Sequence, residues 1–322
     1  MKKIIGVIAI VFALAIGIFF AYSALSEKRI KNTVTIGYRT HDLYAPLFVG
    51  LEKGFFEKEG IYINPIKFES TNQLTDALLA GKIDAVLGGA NMPLLLTIED
   101  KSPGQLKIFS IVHEDDKAAS SAVIIKQDSQ ILSMKDLQGK KIGAFPGSTA
   151  QLIYRKMLSP YFDPSQSTLT QMKPELLLAS LESGQIDAAI VLEPAATIAV
   201  SKNVARILER SLFHTYIQKN IPVAASALSS TFAKRKPDIA NKLINATNRS
   251  IEFINSHQDE AKMILPKYTS VDPEIAKKIT LPTFDSLSTI NPEELQGLAD
   301  ILLEEHELKG TIKINTLLYQ NR

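Results

Sequence analysis

Four short stretches of this chain gather side chains suited to gripping a small polar molecule. Tyr38-Arg39-Thr40-His41-Asp42-Leu43-Tyr44 concentrates an aromatic ring, a cation, a hydroxyl, an imidazole and a carboxylate, and Tyr38, Thr40, His41 and Tyr44 are the expected contacts. Gly147-Ser148-Thr149 sets a glycine and two hydroxyls ahead of an apolar-periodic run. A helix starting there aims free N–H groups and the positive end of its dipole at an anion, unless Ser148 serves only as that helix's cap. Gly88-Gly89-Ala90-Asn91 permits close backbone approach at Gly89 and offers a donor or acceptor at Asn91. Glu193, just before Pro194, has two readings. Facing a cleft, it favours a ligand bearing an amine or ring nitrogen and repels a bare oxyanion; capping the next helix, it says nothing about ligand charge.

These groups bind; they do not make a reaction centre. Cysteine is absent, which excludes a thiolate nucleophile, a disulfide framework and a thiolate metal site. No G-x-S-x-G, G-x-G-x-x-G or P-loop pattern occurs. The five histidines, His41, His113, His214, His257 and His306, lack metal-ligand spacing. No catalytic residue, metal or cofactor is therefore expected.

The elements that position these stretches announce themselves in a phrase used twice. Ala77-Leu78-Leu79-Ala80-Gly81-Lys82-Ile83-Asp84-Ala85 returns as Ser180-Leu181-Glu182-Ser183-Gly184-Gln185-Ile186-Asp187-Ala188. Each copy reads as a helix end, a glycine stop and an apolar strand. Gly89 and Asn91 follow the first copy and Glu193 the second, at the carboxyl ends of strands, where open α/β sheets bind ligands. Alternating strand and helix patterns predict an α/β fold of two lobes, each a mostly parallel sheet flanked by helices. The expected layout is residues 33–126 with 222–322 in the first lobe and 127–221 in the second, joined by a two-segment hinge. Pro222 to Leu228 is read as the returning strand, and only helical patterns follow it.

The 322 residues carry 36 Lys and Arg against 34 Asp and Glu, and Lys2 and Lys3 account for the difference. A neutral body argues against a nucleic-acid partner. Residues 1–25 read as a signal peptide or an N-terminal membrane anchor, with 26–32 as a linker. Met1-Lys2-Lys3 is a short cationic start, and the apolar run reaches Leu25. Ala21-Tyr22-Ser23 supplies the small residues a signal peptidase inspects, while a run of this length also spans the roughly 30 Å core of a bilayer. Both readings place the body outside the cytoplasmic membrane.

Ile36-Gly37-Tyr38 followed by Pro46-Leu47-Phe48-Val49-Gly50-Leu51-Glu52-Lys53-Gly54-Phe55-Phe56-Glu57-Lys58-Glu59-Gly60-Ile61 resembles the opening of the substrate-binding proteins of ABC importers. The likeness is to the NMT1/THI5-like group, the sulfonate, nitrate and thiamine-pyrimidine branch. It continues through Asp136-Leu137-Gln138-Gly139-Lys140-Lys141-Ile142-Gly143 and both copies of the doubled phrase, covering about Val34 to Leu228. The resemblance implies a type 2 periplasmic binding fold and a monomer that captures a small organic anion or heteroaromatic between its lobes. It also implies delivery of that ligand to an ABC permease and ATPase complex. An anchored ligand sensor, or a biosynthetic enzyme on the same fold, are the alternatives.

Overall fold

The structure is a computed structural model, and it describes residues 29–320. The expected signal or anchor at residues 1–25 lies outside the described residues. Residues 29–32, read from sequence as linker, are tied to the body: Asn32 donates to the Gly60 carbonyl at 2.8 Å, and the Arg29 guanidinium lies 4.9 Å from the centre of the Tyr62 ring.

The described residues form eleven strands interspersed with helices: β1 (Thr33–Tyr38), β2 (Tyr62–Lys67), β3 (Ala85–Asn91), β4 (Leu106–Glu114), β5 (Ser121–Lys126), β6 (Lys141–Ala144), β7 (Thr168–Gln171), β8 (Ala188–Leu192), β9 (Ala205–Arg210), β10 (Ile221–Ser229) and β11 (Thr283–Ser286). They form two sheets, in the orders β11-β4-β10-β3-β1-β2 and β7-β6-β8-β5-β9.

The α/β architecture with two sheets is as expected, but the sheets are mixed rather than mostly parallel. β2, β1 and β3 pair parallel, as do β7, β6 and β8. β10 is inserted antiparallel between β3 and β4, and β5 antiparallel between β8 and β9. Each inserted strand arrives from the other sheet, so it enters at the edge where its neighbours leave and must run against them. β5, assigned from sequence to the first lobe, belongs to the second sheet, and the crossing therefore falls at residues 115–120 rather than at 126. β11 is a second departure: the segment after Leu228 is not all helical, because Thr283–Ser286 adds an antiparallel edge strand to β4. Four residues following a proline carry too little alternation to be read as a strand.

The doubled phrase builds the same joint in both sheets. Asp84 accepts the Thr35 N–H at 2.9 Å and Asp187 the Lys141 N–H at 2.8 Å, so each aspartate pins the start of the neighbouring strand. The isoleucine before it lies over a glycine of that strand. A Cβ on Gly37 would stand 2.4 Å from Ile83 Cδ1, and one on Gly143 2.5 Å from Ile186 Cδ1. Outside the first sheet, the helix Pro237–Ser256 buries a stripe of Ala240, Leu243, Ile244, Thr247, Ile251 and Ile254, recurring every three or four residues as an amphipathic helix requires.

Both crossings between the sheets meet at one buried carboxylate. Glu114, fully buried at the end of β4, accepts from the Ser120 N–H (2.9 Å) and hydroxyl (2.8 Å) and from the Ser121 hydroxyl (2.9 Å) on the outgoing segment. It also accepts from the Phe213 and His214 N–H groups (3.0 and 3.3 Å) on the returning one. Burial holds its carboxyl above the usual range, against the pull of these hydrogen bonds.

Candidate functional site

β1 and β3 are neighbours in the first sheet, so the loop 39–44 and the Gly88–Asn91 segment lie side by side at one edge. β6 and β8 are neighbours in the second, which brings Gly147–Thr149 beside Glu193.

On the first side, the turn 41–44 is seated directly on β3. The fully buried Tyr44 ring lies over Gly89 and its hydroxyl donates to the Gly89 carbonyl at 3.1 Å. A Cβ on Gly89 would come within 2.1 Å of Tyr44 Cζ, and one on Gly88 within 2.1 Å of the Leu43 carbonyl oxygen. The close approach expected at this double glycine is thus made by the protein's own turn. Burial pushes the Tyr44 phenol far above its ordinary value, with the Arg39 charge opposing. Gly88 donates to Ser226 Oγ at 2.8 Å, and Ser110 donates to the same oxygen at 2.6 Å, which fixes β3 against β10 and β4.

Of the other expected contacts, Tyr38 is half-buried and meets Phe48 edge-on, with ring centres 5.8 Å apart. Thr40 is exposed, and Arg39 beside it donates to Thr71 Oγ1 at 3.1 Å. Asn91 accepts the Leu94 N–H at 3.0 Å and so caps the helix Met92–Lys101. His41 Nδ1 faces the Leu43 N–H at 3.4 Å and also lies against Asp42 Oδ1. Asp42 itself is 3% exposed, and neither of its carboxylate oxygens receives a hydrogen bond among the described residues.

On the second side, Gly147 adopts φ +122° and its carbonyl accepts from Gln171 at 2.9 Å. No side chain caps the helix Ser148–Leu158 that follows; Ser148 is exposed and Thr149 partly so. Ser148 is therefore not a helix cap, and the first turn of this helix has no side-chain cap. Glu193 is 2% exposed. One oxygen accepts the Thr197 N–H at 3.1 Å, capping the helix Ala195–Ser201, and the other meets Arg210 Nη1 at 3.4 Å. Burial raises its carboxyl above the usual range, and the Asp42 charge pushes the same way, against Thr197 and Arg210.

The Asp42 turn follows β1 of the first sheet, and Glu193 follows β8 of the second. Sequence reading included Asp42 in its loop without singling it out, and passed over Glu114 and Arg210. Only burial distinguishes Asp42 from its polar neighbours, and the composition of a loop does not show which of its side chains is buried. Among the described residues no group of three or more His, Asp or Glu could hold a metal ion. Two shallow surface hollows, along residues 214–219 and 255–260, each follow one continuous stretch of chain and include none of these residues.

Known proteins share this framework. The chain is 25% identical over 283 residues to a Bacillus subtilis protein named for binding aliphatic sulfonates, covering 86% of this chain and 81% of that one. It is 25% identical over 261 residues to the nitrate/nitrite binding protein NrtA of Nostoc, covering 75% of this chain and 58% of the relative. Its fold matches the periplasmic aliphatic sulphonate binding protein SsuA of Escherichia coli with a TM-score of 0.72 at 17% identity, over 90% of this chain and 98% of that structure. The family model described as NMT1-like spans residues 27–266, taking in the doubled phrase, the crossings and every residue of the site, and the chain belongs to that NMT1-like family.

Proposed function

We propose that the chain is the solute-binding component of an ABC import system, capturing a small molecule between its two sheets and presenting it to a membrane permease. The observation that carries this reading is the division of the chain into two sheets joined by two crossings that a single buried carboxylate, Glu114, holds together. Facing loops on two bodies joined by two short segments form a hinge. A ligand touching both sides binds the closed form better than the open one and shifts the balance by that difference alone. The two lobes comprise the two sheets with their flanking helices, and the protein works outside the cytoplasmic membrane as a monomer.

The ligands named for its relatives define the first panel to test: alkanesulfonates and nitrate, together with thiamine-related pyrimidines. A ligand that binds only the folded state stabilises it by about 2.7 kcal/mol at a hundredfold excess over Kd, so a true ligand raises Tm in a thermal-shift assay. Uptake of that ligand by cells carrying the permease, and its loss when this chain is deleted, tests delivery. Turnover of a bound metabolite instead of release would overturn the transport reading.

A further inference from the structure

Two basic triplets, far apart in sequence, meet at the edge of the first sheet where β1 and β3 begin. Arg29-Ile30-Lys31 runs into β1, and Lys234-Arg235-Lys236 closes the helix Ser230–Arg235 that follows the antiparallel β10. Lys236 Nζ donates to the Lys31 carbonyl at 2.9 Å, so the triplets are neighbours. The Ser229 N–H donates to the Asp84 carbonyl at 2.9 Å, which fixes the end of β10 at the same edge, and Lys82 stands two residues before Asp84. Lys82, Lys234 and Arg235 are exposed and form no ion pair among the described residues. Of the carboxylates beside them, Asp84 accepts the Thr35 N–H and Glu59 pairs with Arg249 at 2.9 Å, while Asp238 is exposed in the first turn of the helix Pro237–Ser256.

In a chain whose charges otherwise balance, this edge is locally basic, and Ile30 stands among its cations 71% exposed. Charge alone would serve an acidic protein or a nucleic acid, but neither gives an isoleucine between two cations anything to enter. A bilayer does: anionic headgroups attract Lys and Arg within a Debye length, and an apolar side chain sinks below them. The sequence adds a second argument, because the apolar run that ends at Leu25 is separated from Arg29 only by Ser26-Glu27-Lys28. We propose that this edge of the first sheet docks on anionic phospholipid headgroups, whose phosphates seat among Arg29, Lys31, Lys82, Lys234 and Arg235 while Ile30 enters the interfacial layer. Residues 39–44 and 88–91 lie at the other ends of β1 and β3, so the candidate solute site stays clear of the lipid.

The chain has no cysteine, so Thr231→Cys carries a single fluorophore beside the triplets and Thr40→Cys carries one at the opposite edge; both threonines are exposed. The full chain is reconstituted into vesicles of phosphatidylcholine, alone or with about 30 mol% phosphatidylglycerol. Its apolar N-terminal run enters both, so the difference between them reports the body. With phosphatidylglycerol, acrylamide quenching at position 231 falls at least about threefold and quenching at position 40 is unchanged. Raising salt from about 0.1 M to about 0.5 M restores quenching, because the headgroup attraction is screened. Lys234→Gln with Arg235→Gln restores it as well, and these exposed side chains hold no ion pair whose loss would disturb the fold. Glycerol phosphate in solution, at the same phosphate concentration, protects neither position.

Equal quenching in the two lipid compositions overturns the proposal, as does protection that survives the double substitution. Protection at position 40 equal to that at position 231 means adsorption without a preferred face, and overturns it too. A short DNA duplex that shields position 231 where phosphatidylglycerol does not assigns the edge to nucleic acid instead. The solute-binding reading stands under each of these outcomes, because the lipid edge and the candidate site occupy opposite ends of the same strands.

Discussion

Replacing Gly89 by Ala tests how the site loop is held, and the structure gives the size of the effect. The new methyl would stand 2.1, 2.3 and 2.5 Å from Cζ, Cε2 and Cε1 of Tyr44. Carbon atoms in contact rest about 3.5–4.0 Å apart, so the ring must retreat by about 1.5 Å. It has little room, because the ring is 2% exposed and tilted against Phe48 with centroids 6.5 Å apart. Overfilling of this kind costs about 1–3 kcal/mol. Tyr44→Ala alone, emptying a buried aromatic site, costs about 3–5 kcal/mol. In the double variant the methyl introduced by Gly89→Ala enters vacated space, so the pair together also costs about 3–5 kcal/mol. The coupling is then about −1 to −3 kcal/mol, the size found for residues in direct contact. Gly88→Ala is the control: its methyl meets the Leu43 main-chain oxygen at 2.1 Å with φ at +84°, and no side-chain deletion relieves that. Urea unfolding followed by far-ultraviolet circular dichroism, with a shared slope, gives the four-corner cycle. Additivity of Gly89→Ala and Tyr44→Ala within about 0.5 kcal/mol would refute the claim that this glycine exists to seat Tyr44.

Stability of the ligand-free chain is expected to fall as pH rises from about 5 to about 8. Burial raises the Glu114 and Glu193 carboxyls, and His113 is raised because Asp285, Asp115 and Glu294 outweigh the burial that opposes its charge, so the folded state keeps protons that the unfolded chain has released. Their contribution is whole below the unfolded pKa values and is lost as pH climbs through the folded ones, at up to about 1.4 kcal/mol per pH unit for each proton held; a Tm that rises steadily across this window would refute it. Glu114→Gln is expected to destabilise by about 1–3 kcal/mol, because backbone N–H groups approach both oxygens and an amide NH2, however turned, faces at least one of them. An unchanged urea midpoint for this variant would remove Glu114 from its place as the clamp of the two crossings.

How much of this was legible in the sequence depends on the range of the forces involved. The doubled phrase was readable because helix stop, strand and register are short-range, and Gly81, Asp84, Gly184 and Asp187 act on residues within or beside their own unit. The return of Pro222 to Leu228 to the first sheet was legible, but the antiparallel direction of β5 and β10, and the place of Ser121–Lys126 in the second sheet, were not, because these are apolar runs whose partners are chosen by the crossing that precedes them. The double glycine was recognised as a close approach, but composition alone does not say whether a ligand or Tyr44 makes it.

The two sheets also show where function separates from scaffold. At equivalent places after β3 and β8, Asn91 and Glu193 do the same structural work: each takes a backbone N–H of the helix it precedes. A neutral amide suffices for that cap, as Asn91 demonstrates, so capping does not account for a buried charge at Glu193. The same contrast holds on the other strand of each pair. After β6 the chain turns straight into a helix at Gly147–Thr149 that no side chain caps, whereas after β1 it makes a turn that buries Asp42 with His41 Nδ1 against one of its oxygens. Where the two copies of the joint agree, they build the sheets; where they diverge, at Asn91 against Glu193 and at the turns after β1 and β6, they differ in charge and in how the next helix is capped.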